Sequence, residues 1–342
     1  MSKQSRIRQK QKAEINPRRR LPKKPFLIFG ALALVALVAS IYAFVWASKN
    51  SSKEKWSKIE SSKFQFYTNA EEGLDKMVQA KDADIDLALA NWLIVADIPE
   101  FQNLTREDYF KQLDAMTEQV KQKMAKWQAA GWPTANSDDP QTRCQRFCSA
   151  MIRLNFGYAK EFQDATNLTP MVMKALYSNP DNIFLAGLLR TKQGTCVSMP
   201  LIYLVIGQRF NMPVHLVEIG KHYFIRWDEP RFHMDIETTI TTETAWTTDE
   251  SVYLDSEGMT RDQLRGSDLR NLTNHEVVGE LLFARTSYWH IKGGDFESRS
   301  RNDLVRAHNL APDDPGINGL YQSVFSFHGI QPVKSTAIKP KI

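Results

Sequence analysis

The chain has 342 residues, of which 42% are hydrophobic, 24% charged and 11% aromatic. That composition excludes a wholly disordered, collagen-like or disulfide-stapled protein and leaves room for one large or two modest domains. The net charge of +5 averages two unlike parts: residues 1–24 hold ten Lys/Arg against Glu14 alone, and the rest of the chain carries 34 bases and 38 acids. The body is mildly acidic, so nucleic acid is not the expected partner.

The basic arm (1–25) runs into an uncharged stretch, 26–47, whose one clearly polar residue is Ser40. At about 1.5 Å per residue that stretch is roughly 33 Å long, against a bilayer core of about 30 Å. A single transmembrane helix is expected, with Tyr42 and Trp46 at its far interface. Arg18, Arg19, Arg20, Lys23 and Lys24 hold the N-terminus in the cytoplasm, which puts the main domain outside it, on a bacterial inner membrane. The alternative is a cleaved signal peptide. Its apolar part would be roughly 7–15 residues followed by small residues, whereas this flank carries Tyr42, Phe44 and Trp46. The first cysteine is Cys144, too late for a lipid-modified leader. The lipid bilayer is thus the first expected partner.

A Ser/Lys-rich tether (48–62) leads into a helical region, 63–175. Apolar residues at helical spacing run through 80–98 and stop at Pro99. Thr105 opens a second helix with a capping signature, followed by Tyr109, Phe110, Leu113, Met116, Val120 and Met124. Further helices are expected over 141–155 and 168–176. The period changes in the core, 176–258: a helix opens near Gly194 and runs to Phe210. Short strands then follow at 214–219, 222–227 and 231–237, with an extended Thr-rich loop over 238–248. Helices return at 274–291, at 297–309 and after Pro312, within a tail of 259–330, and 331–342 is frayed.

Three residues carry the expected chemistry: Cys196, His222 and Asp235. A cysteine at a helix start gains from the helix dipole and free N–H groups, which favour thiolate. His222 opens the second strand and Asp235 lies in the third, where adjacent antiparallel strands can set them side by side. A thiol, its base and the carboxylate that orients the base make a nucleophilic triad. His233 shares a strand face with Asp235 and is the rival base.

The run from Leu189 through Gly194-Thr-Cys-Val-Ser-Met-Pro to Val214, then Lys221-His-Tyr-Phe-Ile-Arg-Trp, then Phe232-His-Met-Asp-Ile-Glu, resembles the core of the transglutaminase-like superfamily. The likeness is to the short bacterial variety with a helical region before the core. It implies an α+β, papain-like fold, a cysteine helix packed on a small antiparallel sheet. It also implies Cys196 as nucleophile, His222 as base and Asp235 as orienting acid, acting on an amide or peptide. The sequence departs from the family at Val197, where an aromatic is common, and Gln193 and Gln208 are poorly placed to serve an oxyanion. The helix pair 281–293 and 296–310 resembles one tetratricopeptide-like unit, a capping hairpin.

Cys144 and Cys148, four apart on one helix face, read as core packing more readily than as a disulfide. Paired metal-ligand spacing and glycine-rich phosphate loops are absent from the sequence, so no metal and no organic cofactor is expected. Two functions remain: a membrane-anchored cysteine hydrolase or acyltransferase acting on a peptide or protein, or the same fold without catalysis, a scaffold for a cell-envelope protein partner.

Overall fold

Helix and strand signals occupy separate stretches of the chain, and the computed structural model keeps them in separate layers. It describes residues 70–133, 139–162, 170–220, 222–240, 246–294 and 297–327. The predicted membrane span at 26–47, with its arm, its tether and the tail 331–342, lies outside the described residues. Among those described, no helix is long and apolar enough to cross a membrane.

The first half is helical: α1 (Ala70–Val78), α2 (Leu87–Val95), α3 (Arg106–Ala129) and α4 (Pro140–Ile152). A two-residue strand β1 (Gly157–Tyr158) is followed by α5 (Pro170–Ser178), α6 (Pro180–Ile183) and α7 (Leu185–Thr191), then β2 (Gln193–Gly194) and α8 (Met199–Arg209). The main sheet comprises β3 (Val214–Ile219), β4 (His222–Glu229), β5 (Phe232–Ile236) and β6 (Trp246–Thr247). Four helices close the described chain: α9 (Ser251–Glu257), α10 (Asn274–Lys292), α11 (Glu297–Leu310) and α12 (Pro315–Phe327).

The single helix expected over 80–98 is two pieces. Asp86 adopts an extended backbone and its carboxylate accepts the N–H groups of Ala88 and Leu89, so α2 starts afresh there. Eight of the nine residues of α2 are buried, which makes it a central helix, not an amphipathic cover. Thr105 caps α3 as its signature suggested, accepting the Asp108 N–H at 3.0 Å. Short α6, α7 and α9 are too brief for a periodic signal, and sequence reasoning missed them.

The sheet is antiparallel in the order β3-β4-β5-β6, and its register pairs Ile219 with His222, Ile225 with Ile236 and Arg226 with Asp235. Alternate residues face opposite sides. One face of β3 and β4 (Val217, Ile219, Phe224) packs on Tyr253 and Leu254 of α9. On the other, Trp227 meets Phe147 of α4, whose ring also contacts Tyr203 of α8. Helix α8 thus covers the sheet, the α+β arrangement expected.

The N-terminal helices and the α10–α11 hairpin share one helical layer. Arg285, 1% exposed, grips Asp303 with two hydrogen bonds at 2.7 and 2.6 Å and donates to the Ile94 carbonyl at 2.9 Å. Cys144 and Cys148 are buried free thiols with sulfurs 3.9 Å apart, packing side by side in α4.

Candidate active site

Cys196 sits in a tight turn just ahead of α8, not inside the helix that the sequence suggested. Met199, the first residue of α8, donates its N–H to the Thr195 carbonyl at 2.9 Å. The turn is tied down by hydroxyls. Thr195 Oγ1 and Ser198 Oγ both donate to the Asn182 carbonyl, at 2.7 and 2.8 Å, and the Thr195 N–H donates to Ser198 Oγ at 3.0 Å. Gly194 is required by close approach: a Cβ there would lie 2.7 Å from Ser198 Oγ and 2.8 Å from both Leu188 Cδ1 and Met199 Cγ. The thiol residue is 9% exposed.

The imidazole of His222 and the Cys196 side chain lie within electrostatic and hydrogen-bonding reach of one another. Its Nε2 lies 2.5 Å from Glu237 Oε2, which leaves Nδ1 for the sulfur. Glu237 is fixed in turn by Thr239, whose N–H and hydroxyl both donate to Oε1, at 2.8 and 2.6 Å. Tyr253 of α9 stacks on Phe224 with centroids 3.8 Å apart and on the His222 ring at 6.2 Å, so the imidazole rests against an aromatic wall.

The carboxylate beside His222 is therefore Glu237, a correction to the expectation for Asp235. The register is the reason. Asp235 lies opposite Arg226, four residues along β4 from His222, which is about 13 Å of strand. Asp235 is fully buried and holds Arg226 with two hydrogen bonds, at 2.6 and 3.1 Å. Arg226 also reaches Glu250 at 2.9 Å and the Leu269 carbonyl at 3.0 Å. Asp235 thus belongs to a knot that joins β4 and β5 to the start of α9. Glu237 shares the strand face of Asp235 two residues on, so parity alone left both open.

The rival histidine, His233, lies opposite Asp228 at the other end of β5, where its nitrogens are 3.8 Å from Asp228 Oδ1 and 3.5 Å from Asp235 Oδ1. His215 lies opposite Arg226. His222 is the histidine whose ionisation is coupled to Cys196.

Electrostatics follow this geometry. Burial by itself would make His222 less basic. Hydrogen bonds to Cys196 and Glu237, together with the Glu237 charge, outweigh that and push its pKa up to about 10. Burial would raise Glu237, but the hydrogen bond and charge of His222 and the Thr239 donors hold it below the usual carboxylate range. At neutral pH His222 is therefore an imidazolium, held between the Glu237 carboxylate and the Cys196 sulfur.

Tyr158 was not read from the sequence. The parallel pairing of β1 with β2 sets it opposite Gly194, two residues before the cysteine. Burial, then the charges of Cys196 and Glu237, push its phenol up to about 12, so it stays a proton donor. A two-residue strand has no sequence signature, which is why it escaped notice. Gln208 is excluded as a site residue: it clamps α8 to the start of α2, accepting the Leu87 N–H at 2.9 Å and donating to the Ile85 carbonyl at 2.7 Å.

The model of the transglutaminase-like superfamily matches residues 107–282, just over half of the chain. The chain belongs to that superfamily. Comparison with curated proteins and with solved structures finds no match. The superfamily match runs from α3 into α10, so it takes in every element that carries the thiol, the imidazole and the carboxylate, and it stops before α11 and α12.

Proposed function

We propose that this transglutaminase-like protein is a cysteine-dependent amide hydrolase or acyltransferase with Cys196 as nucleophile, His222 as general base and acid, and Glu237 as the orienting carboxylate. The observation that carries the reading is the His222 imidazole set between the Cys196 side chain and the half-buried Glu237 carboxylate, which it meets at 2.5 Å. With its proton held on the His222 imidazolium, the Cys196 sulfur attacks an amide carbonyl. The C–N bond breaks as His222 returns that proton to the leaving amine, leaving a thioester. Water or a second amine then attacks the thioester carbonyl, giving up its proton to His222 and releasing the sulfur, which restores the starting pair. Tyr158, opposite Gly194 and within electrostatic reach of Cys196, is the donor closest in role to an oxyanion partner, since its phenol keeps its proton. None of these steps needs a metal or organic cofactor.

The test is covalent capture. Incubated with a cell-envelope peptide extract and quenched in acid, the protein is expected to carry a hydroxylamine-sensitive adduct on Cys196 by mass spectrometry. An unmodified thiol that also resists stoichiometric iodoacetamide near neutral pH would sink the enzymatic reading. The second reading, a scaffold with the α10–α11 hairpin as a tetratricopeptide-like docking face for an envelope protein, would then stand. It draws support from the low exposure of Cys196.

The location belongs to the same proposal: a single-pass anchor at 26–47 with the N-terminus cytoplasmic and the catalytic body on the other side of the inner membrane. Its support is the net +9 arm before an uncharged stretch. Alkaline phosphatase fused after Ile342 should be active in cells, since that reporter folds only outside the cytoplasm. A fusion at the same point that is active only as a cytoplasmic reporter would overturn the topology.

A further inference from the structure

On the opposite side of β4 from His222, the structure holds a cavity of about 1090 Å³ between β3, α5, α10, α11 and α12. Its walls are mainly apolar, with Met173, Phe283, Ile291, Leu304, Leu320 and Val324 among them. Glu218, Glu280 and Asp314 also line it, and these three are 8%, 8% and 4% exposed. One oxygen from each lies within 4.8 Å of the others. Tyr223, which alternates with His222 along β4, donates its hydroxyl to Glu280 at 2.6 Å. Ser267 Oγ is 3.0 Å from Glu218 and 3.1 Å from Asp314, but its single proton serves one of them at a time.

Three buried carboxyls without a cation are costly unless they stay protonated or take a positive charge from elsewhere. The basic groups that line the cavity do not supply it. Lys174, Arg265 and His290 are exposed, Arg301 is half-exposed, and none of them pairs with the three carboxyls among the described residues. Burial and the charges of Glu280 and Asp314 push Glu218 up to about 9, and burial and Asp314 push Glu280 up to about 8. Near neutral pH Glu218 and Glu280 hold protons that an incoming cation can replace.

We propose that this cavity binds an organic cation with an apolar body, an alkyl- or arylalkyl-ammonium group, with the charged head on Glu218, Glu280 and Asp314 and the body against the apolar walls. Volume and wall chemistry suit an amphiphilic amine better than a bare metal ion: a divalent cation would use the three oxygens and leave the apolar walls without a role. The cavity is separate from the thiol but not remote from it, because Tyr177 of α5 lines it and also lies within electrostatic reach of Cys196. The inference does not depend on the catalytic reading.

The experiment uses the full chain in lipid nanodiscs, with titration calorimetry against 4-phenylbutylamine, its neutral analogue 4-phenylbutanol, and Mn²⁺, each corrected against protein-free nanodiscs. Saturable binding of the amine is expected, at least tenfold tighter than the alcohol. Glu218→Gln and Glu280→Gln should each weaken the amine by tenfold or more, while Cys196→Ala leaves it unchanged. The wild-type amine-to-alcohol ratio needs no variant to fold. Equal affinity for amine and alcohol, binding of Mn²⁺ alone, no binding of any probe, or amine affinity indifferent to both substitutions would each overturn the proposal.

Discussion

Glu237→Gln should lower amide turnover by roughly 10³–10⁴-fold while leaving the fold intact. The direction follows from the acceptor pattern. Glu237 Oε1 accepts two hydrogen bonds from Thr239, so a glutamine keeps its carbonyl there and turns its NH₂ toward His222 Nε2. An NH₂ donor facing Nε2 demands the neutral tautomer with the proton on Nδ1. That nitrogen then points a hydrogen at the sulfur and cannot take the thiol proton. Turnover of the substrate identified by thioester capture measures the loss, and near-normal turnover would remove Glu237 from the mechanism.

An imidazole titration followed by NMR gives a readout that a merely structural carboxylate would not move. The pKa of His222 is raised from the ordinary 6.5 to about 10. The protonated form therefore favours the folded state: the stabilisation is full below about pH 6.5 and is lost as the pH climbs through the folded value near 10. In Glu237→Gln the imidazole should titrate close to its ordinary value, and stability between those two pH values should flatten.

Asp235→Asn is expected to do the opposite, unfolding the protein more easily instead of merely slowing it. Removing one partner of a buried ion pair costs about 3–5 kcal/mol, because the other charge stays buried without compensation. Here the lower end applies, since Arg226 keeps Glu250 at 2.9 Å. The new amide also sets an NH₂ against the guanidinium, donor against donor. For a domain of this size a loss of about 3 kcal/mol lowers Tm by roughly 6–12 °C. Thermal unfolding of the two variants side by side checks the division of labour. An Asp235→Asn protein of normal Tm but without turnover would restore Asp235 as the orienting residue.

The substitution pair marks where sequence reasoning ran out. Periodicity and capping rest on neighbours within a few residues, so they placed α3 with its Thr105 cap and β3 over Val214–Ile219. The same local logic singled out Cys196 beside Gly194 and His222 at a strand start, because tight turns and strand edges leave marks in composition. It overextended the helix at 80–98, where one carboxylate, Asp86, claims two backbone N–H groups and starts a new helix.

Tertiary structure decided the rest. Asp235 and Glu237 both satisfy the alternation of β5 and its extension. Only the pairing of Arg226 with Asp235 shows which of them reaches His222. Register depends on how turns and side-chain packing align two strands, and a slip of two residues leaves the hydrophobic pattern unchanged. Tyr158 meets the cysteine turn through a parallel bridge between segments more than thirty residues apart. Glu218, Glu280 and Asp314 come together from a strand, a helix and a loop. The chain alone singled out Cys196 and His222 and the longer elements around them; the folded sheet and helical layer determined which residues meet, because contacts between distant segments depend on register and packing that no local pattern encodes.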